Sequence, residues 1–345
     1  MNKKISITVA CLLFAGFVFT EACKKKDFVY NPTPLSFTIP TGWPAPVYDF
    51  TANPLTQEGF DLGKKLFFDK NLSIDNTVSC GTCHDPGAGF SHTDHGPAHG
   101  VNGLLTTRNP PGLYNLAWKK ELMWDGSITH LDLQPEFPIT AVNEMGETMN
   151  NVLRKIANDE TYRSLFQKTF GDETVSKERM FKALSQFMLL IVSNNSKYDR
   201  VQRGEASFNV AEQLGYDIFK TKCISCHKEP FFTDYSYRNT GMPLDPFYKD
   251  FGRMIVTKSR ADSLKFQVPS LRNIGFTYPY GHDGRFATLQ NIFTHYKDNV
   301  VDAPGIDPLV RGKIPLSNFE IGQLQAFLFT LNDTLLTKDH RFLNH

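Results

Sequence analysis

The chain has 345 residues, enough for two domains with cores of their own, and its 37 Lys and Arg against 36 Asp and Glu leave a formal charge of +1. So even a balance excludes nucleic acid, or any other polyanion, as a partner recognised by bulk charge. Aromatic residues reach 13% and include 29 Phe; walls that keep water from a large flat group need such residues, although each Phe taken alone reads as ordinary core.

Met1-Asn2-Lys3-Lys4 and the apolar run from Ile5 to Phe19 read as a secretory signal, too short to span a bilayer stably, so residues 1–22 are expected to be removed on export. Cys23, between Ala22 and three lysines, resembles the acylated first residue of a bacterial lipoprotein, although Thr20-Glu21 departs from the usual pattern. The expectation is a periplasmic protein with a lipid anchor on Cys23 and a Pro-rich, polar tether over 23–46.

Residues 56–69 have helical spacing, with Phe60, Leu62, Leu66 and Phe67 among charged positions. They lead to Cys80-Gly81-Thr82-Cys83-His84, whose pattern returns as Cys223-Ile224-Ser225-Cys226-His227. In Cys-x-x-Cys-His the thiols bond covalently to the haem vinyl groups and the imidazole becomes an axial iron ligand. One helical turn brings all three groups to one edge of the macrocycle. A four-thiolate zinc site gains nothing from a His after each pair, and a redox dithiol wants a βαβ context that is absent.

The Gly- and His-rich stretch 85–103 is a loop, and Arg108-Asn109-Pro110-Pro111 stops any helix. Trp124-Asp125-Gly126 follows in an aromatic segment. Helices are expected over 148–170 and 176–194, the second capped by Ser176. The charged stretch 197–207 is taken as the boundary between haem domains at 47–200 and 201–345. Asn209-x-x-Glu212 then opens a helix to Lys220.

Laid together, the halves share ordered landmarks: Leu62-Gly63 with Leu214-Gly215, the two haem motifs, Arg108-Asn109 with Arg272-Asn273, and Asp125-Gly126 with Asp283-Gly284. The fold expected is mainly α, two cytochrome c-like haem domains related by internal duplication. The copies differ where Trp124 of the first stands at the position of His282 in the second. His295 and Tyr296, on a helical stretch from about Thr288, are candidate ligands for the second iron; the matching position in the first copy is Pro138, which cannot ligate. That leaves the first iron as the open one. Glu144 and Gln134 lie in a Pro-bounded loop of the same copy, and a carboxylate there can move a proton between the oxygens of hydrogen peroxide. Alone, any such Glu is more often a solvated surface residue.

The combination of Cys80–His84, Arg108-Asn109-Pro110, Trp124-Asp125-Gly126, Glu144-Met145, Cys223–His227, residues 268–274 and Tyr280-Gly281-His282-Asp283-Gly284-Arg285 resembles the bacterial dihaem cytochrome c peroxidases and their MauG-like relatives, over roughly residues 53–331. The resemblance implies a peroxidatic haem on His84 and an electron-receiving haem on His227, with Glu144 as catalytic glutamate, Gln134 as its companion and Trp124 between the haems. It also implies calcium held by Asn109 and the backbone oxygens of Thr277 and Pro279. Two departures stand out. Val101 occupies the place of the family's distal histidine, so the first iron is read as permanently five-coordinate, with His99 as the alternative ligand beside His92 and His95. Tyr296 stands at the axial methionine, as in MauG-like enzymes, and a phenolate favours higher iron oxidation states where a thioether raises the potential.

The function expected is reduction of hydrogen peroxide to water with electrons from a small exported donor such as a cytochrome c; a homodimer is compatible with this. The alternatives are a MauG-like oxidase acting on a protein or organic substrate, and a non-enzymatic dihaem electron carrier.

Overall fold

Thr56 sets the first long helix. Its hydroxyl accepts the Gly59 N–H at 3.0 Å, and α1, Gln57–Phe68, then buries Phe60, Leu62, Leu66 and Phe67. The computed structural model describes residues 28–344, so the signal segment and Cys23 lie outside the described residues. The folded body runs from Pro32 onward. Residues 33–46, read from sequence as part of a loose tether, are instead held down. Leu35 N–H donates to Leu55 O at 2.9 Å, and Trp43 stands edge-on to Trp118 and Phe231 at 5.0 and 4.8 Å between ring centroids.

Five further long helices follow: α2 Met149–Asn158, α3 Glu160–Phe170, α4 Lys177–Leu189, α5 Val210–Lys222 and α6 Asn318–Phe329. The single helix expected over 148–170 is two. Asp159 ends α2 and turns its carboxylate onto the N–H groups of Thr161 and Tyr162 at 2.7 and 3.2 Å, capping α3. Helix α4 stops at Leu189, short of the expected Asn194, and Ser193 exchanges hydrogen bonds with the Asn115 side chain instead.

One packing device occurs twice. Helix α1 crosses α4 where Gly63 meets the Ala183 carbonyl, so close that a Cβ would lie 2.0 Å from the oxygen, and α5 crosses α6 where Gly215 meets the Gln323 carbonyl at the same separation. Each crossing anchors its own core. The first gathers Leu62, Leu66, Phe67, Phe90, Phe166 and Phe187; the second gathers Phe219, Phe232, Leu324 and Phe327. Tyr198 already belongs to the second core and sits in a short helix, Lys197–Gln202, so the change of core precedes the sequence boundary at 200/201. The described strands are one antiparallel pair, β1 Tyr237–Arg238 and β2 Phe266–Gln267. Among the described residues no helix is long and apolar enough to cross a membrane.

Two arginines, one wholly buried and one half-buried, tie the cores together. Arg272, wholly buried, grips both oxygens of Asp199 at 2.9 and 2.8 Å and lies over the Trp43 ring at 4.8 Å. Arg108 holds Asp250 through two nitrogens, at 2.6 and 2.9 Å, and Asp125 through a third at 2.7 Å. A buried ion pair of this kind contributes through its geometry, because losing one partner strands the other charge away from water.

Candidate functional site

Cys80–Cys83 folds as one helical turn, and 223–227 as a hydrogen-bonded turn just past the end of α5. His84 N–H donates to Cys80 O at 2.9 Å, and His227 N–H to Cys223 O at 3.0 Å, which stacks each imidazole one turn beyond the first thiol of its pair. All four thiols are free of disulfides. Burial pushes the Cys80 thiol up to about 12 and the Cys83 thiol to about 11, and the charge of Glu144 adds to both shifts.

Each imidazole is fixed by a carbonyl a few residues on. His84 Nδ1 lies 2.9 Å from Phe90 O and His227 Nδ1 lies 3.0 Å from Phe232 O. A carbonyl only accepts, so Nδ1 carries the proton in both rings and Nε2 keeps its lone pair for a metal. Burial holds the pKa of His84 down at about 4 and lowers that of His227; both rings are neutral, as metal ligands must be. Phe90 and Phe232 have φ of +58° and +55°, an unusual backbone for a bulky residue, and they aim the carbonyls at the rings. Sequence reasoning missed these two residues, although each follows its histidine by five or six positions. Free thiol pairs beside neutral imidazoles with an open Nε2 fit covalent haem at both motifs.

Around the first motif the loop 138–147 is drawn tight. Glu144 N–H donates to Ala141 O at 3.0 Å, Met145 N–H to Pro138 O at 3.0 Å, and Glu144 O accepts from Val101 N–H at 2.8 Å. Gly100 lets that loop approach, since a Cβ there would lie 2.2 Å from Asn143 O. The structure brings the Glu144 carboxyl near Cys80 and Cys83, where burial raises it to about 7, an acid that both gives and takes a proton near neutrality. Gln134 is half-buried at the turn before the short helix Glu136–Thr140; among the described residues its side chain makes no hydrogen bond to Glu144. Val101 is buried in the first core. His99 is exposed and bonded through Nδ1 to Gly103 O at 3.0 Å. Its ring contacts His95 at 4.8 Å, and His95 contacts His92 at 4.9 Å.

Around the second motif, a helical turn over Leu289–Thr294 widens into a π-helical turn, His295–Asn299, a distortion often found at functional positions. It separates the two candidate ligands. Both residues line the cavity that carries Cys223, Cys226 and His227, but His295 Nε2 is taken up by Thr240 O at 3.0 Å. Burial raises the Tyr296 phenol, with the nearby thiols of Cys226 and Cys223 contributing. Of the pair, the tyrosine faces the second motif.

That cavity, about 280 Å³, extends to Trp124, Asn109 and Lys119. Trp124 is held from both sides: its indole N–H donates to Asn109 O at 2.8 Å, and its carbonyl accepts from Gln267 N–H of β2 at 2.8 Å. His282, the residue at the corresponding position of the second copy, stacks on Phe266 at 3.6 Å. The side chains of Asn109 and Asn273 are used differently. Asn273 Oδ1 accepts from Asp333 N–H at 2.8 Å and its Nδ2 donates to Ser193 Oγ at 3.1 Å. Asn109 Nδ2 donates to Pro279 O at 2.7 Å, but its buried Oδ1 has no partner, while Asn109, Thr277 and Pro279 line one wall. No cluster of three or more His, Cys, Asp or Glu able to hold a metal occurs among the described residues; the oxygens on offer at this junction are amide and carbonyl ones.

The comparisons agree with this geometry. Residues 57–207 match the family model described as di-haem cytochrome c peroxidase. The methylamine utilization protein MauG of Methylophilus methylotrophus is 34% identical over 303 residues, spanning 86% of this chain and 88% of that protein. The cytochrome c551 peroxidase of Nitrosomonas europaea is 34% identical over 284 residues, 79% of each. A solved MauG-like protein associated with microbial copper homeostasis superposes with a TM-score of 0.80 at 30% identity, covering 90% of this chain and 99% of that one. The chain belongs to the di-haem cytochrome c peroxidase and MauG family.

Proposed function

We propose that the protein reduces hydrogen peroxide to water, taking two electrons from an external donor such as a small cytochrome c and two protons from solvent, so that one H2O2 yields two H2O. In this reading Cys80, Cys83 and His84 hold the haem that meets peroxide, and Cys223, Cys226 and His227, with Tyr296, hold the haem that meets the donor. Bound there, the haems supply the redox chemistry. The residues supply position and protons. Glu144 takes a proton from one peroxide oxygen and returns it to the other, which leaves as water when the O–O bond breaks. Trp124, bonded on both sides and lining the cavity of the second motif, serves in this reading as the bridge for charge between the two sites. Asn109 Oδ1, with Thr277 and Pro279 backbone oxygens, forms a hard set suited to calcium once the Asn109 amide turns over. The same reading puts the protein outside the cytoplasm, anchored through Cys23.

The observation that carries the proposal is an asymmetry: a carboxyl whose pKa burial raises lies beside the first motif, and a half-buried phenol lies beside the second. A second reading, a MauG-like oxidase acting on a protein or organic substrate, draws support from Tyr296 and from the 34% identical MauG. Peroxide turnover by the purified ferric protein, measured with reduced cytochrome c and separately with a small artificial donor, tests the two. Turnover with the cytochrome supports the peroxidase. Turnover with the small donor alone favours the oxidase, and none with either donor contradicts both.

A further inference from the structure

Three cations line the cavity that carries Cys223, Cys226 and His227: Lys222, Arg238 and Lys119. Two are matched by the protein. Lys222 pairs with Glu320 at 2.6 Å, and Arg238 with Asp234 and Asp307 at 2.8 and 2.7 Å. Lys119 has no carboxylate within 4 Å among the described residues. The nearest acid in sequence, Glu121, is engaged by Arg253 at 3.2 Å. Burial without a partner pushes the Lys119 amine down to about 8. Lys119 is half-buried on the cavity lining, and a cation partly withdrawn from water is stabilised where something supplies the opposite charge.

We infer that Lys119 is the counter-ion for a propionate carboxylate of the haem bound at Cys223 and Cys226. The inference rests on the reading above that haem occupies this site. Cys223, Cys226, Trp124 and Lys119 all line one cavity, so a haem bound at the two cysteines would share its enclosure with the lysine, and a carboxylate is the chemistry that an unpaired ammonium recognises. The pair has an electronic consequence. A positive charge beside the propionate cancels negative charge near the iron and favours its reduced state.

The test is redox titration of the holoprotein, following each haem by its own absorption bands, for the parent and for Lys119→Met, Lys119→Gln and Lys119→Arg. Loss of the charge in the Met and Gln variants lowers the midpoint potential of the Cys223-linked haem and leaves the other haem unmoved. It also moves the pH-dependent limb of that potential upward, because an unpaired propionate holds its proton longer, and the Arg variant restores both. A potential unchanged in every variant, or a shift confined to the Cys80-linked haem, overturns the assignment. Should the Met variant fail to load haem, the Gln variant decides. Peroxide turnover measured on the same samples separates the two proposals: the predicted shift without turnover removes the peroxidase reading alone, and full turnover without a shift removes the role of Lys119 alone.

Discussion

Glu144 carries most of the chemistry and is the residue easiest to test. Burial raises its carboxyl from 4.5 to about 7, so the ionised form that accepts a proton from peroxide gains population as pH rises through 7. Turnover should rise over the same interval, and Glu144→Gln should lose that limb together with about 10²–10⁴-fold in kcat, with both haem spectra unchanged. The shift also bears on stability. Folding favours the protonated acid, so the cost from Glu144 grows as pH climbs from its ordinary value to about 7 and is constant above that. Glu144→Gln should therefore melt higher than the parent at pH 8 and alongside it at pH 4.5, as read by calorimetry. Tyr296 is tested through potential: Tyr296→Met replaces a phenol by a thioether and should raise the midpoint of the second haem, and an unchanged midpoint would remove Tyr296 from that iron.

At the scale of elements, the two glycine crossings hold the helices that precede each motif. Gly63→Ala and Gly215→Ala each press a methyl into a backbone carbonyl 2.0 Å away, where no side-chain rotation relieves it. Each should cost at least about 1–3 kcal/mol, seen as a lower denaturant midpoint, and each should reduce haem loading at its own motif more than at the other. These crossings were half legible in sequence: Leu-Gly recurs before both motifs, but the partner carbonyls of Ala183 and Gln323 come from helices more than a hundred residues away. The capped starts at Ser176 and Asn209 were legible because a cap is local chemistry. The break at Asp159 was not foreseen, although its signal, an Asp able to cap, was present. The hold on residues 33–46 was hidden, since it depends on Trp118, Phe231 and Arg272 from distant segments.

Over the whole molecule, the two Cys-x-x-Cys-His motifs were legible as spacing, while Glu144 and Tyr296 were singled out only through the family resemblance. The arrangement between them was not legible, because it is made by long-range contacts: Trp124 pinned between Asn109 and Gln267, Asn109 with an unpartnered oxygen, and Lys119 without an anion. Those contacts give the two sites different surroundings inside one fold. Electron paramagnetic resonance of the resting ferric holoprotein at low temperature reads that difference directly. One high-spin haem assigned to Cys80 and Cys83, together with one low-spin haem assigned to Cys223 and Cys226, is the predicted result; two low-spin haems that peroxide leaves unchanged would contradict it.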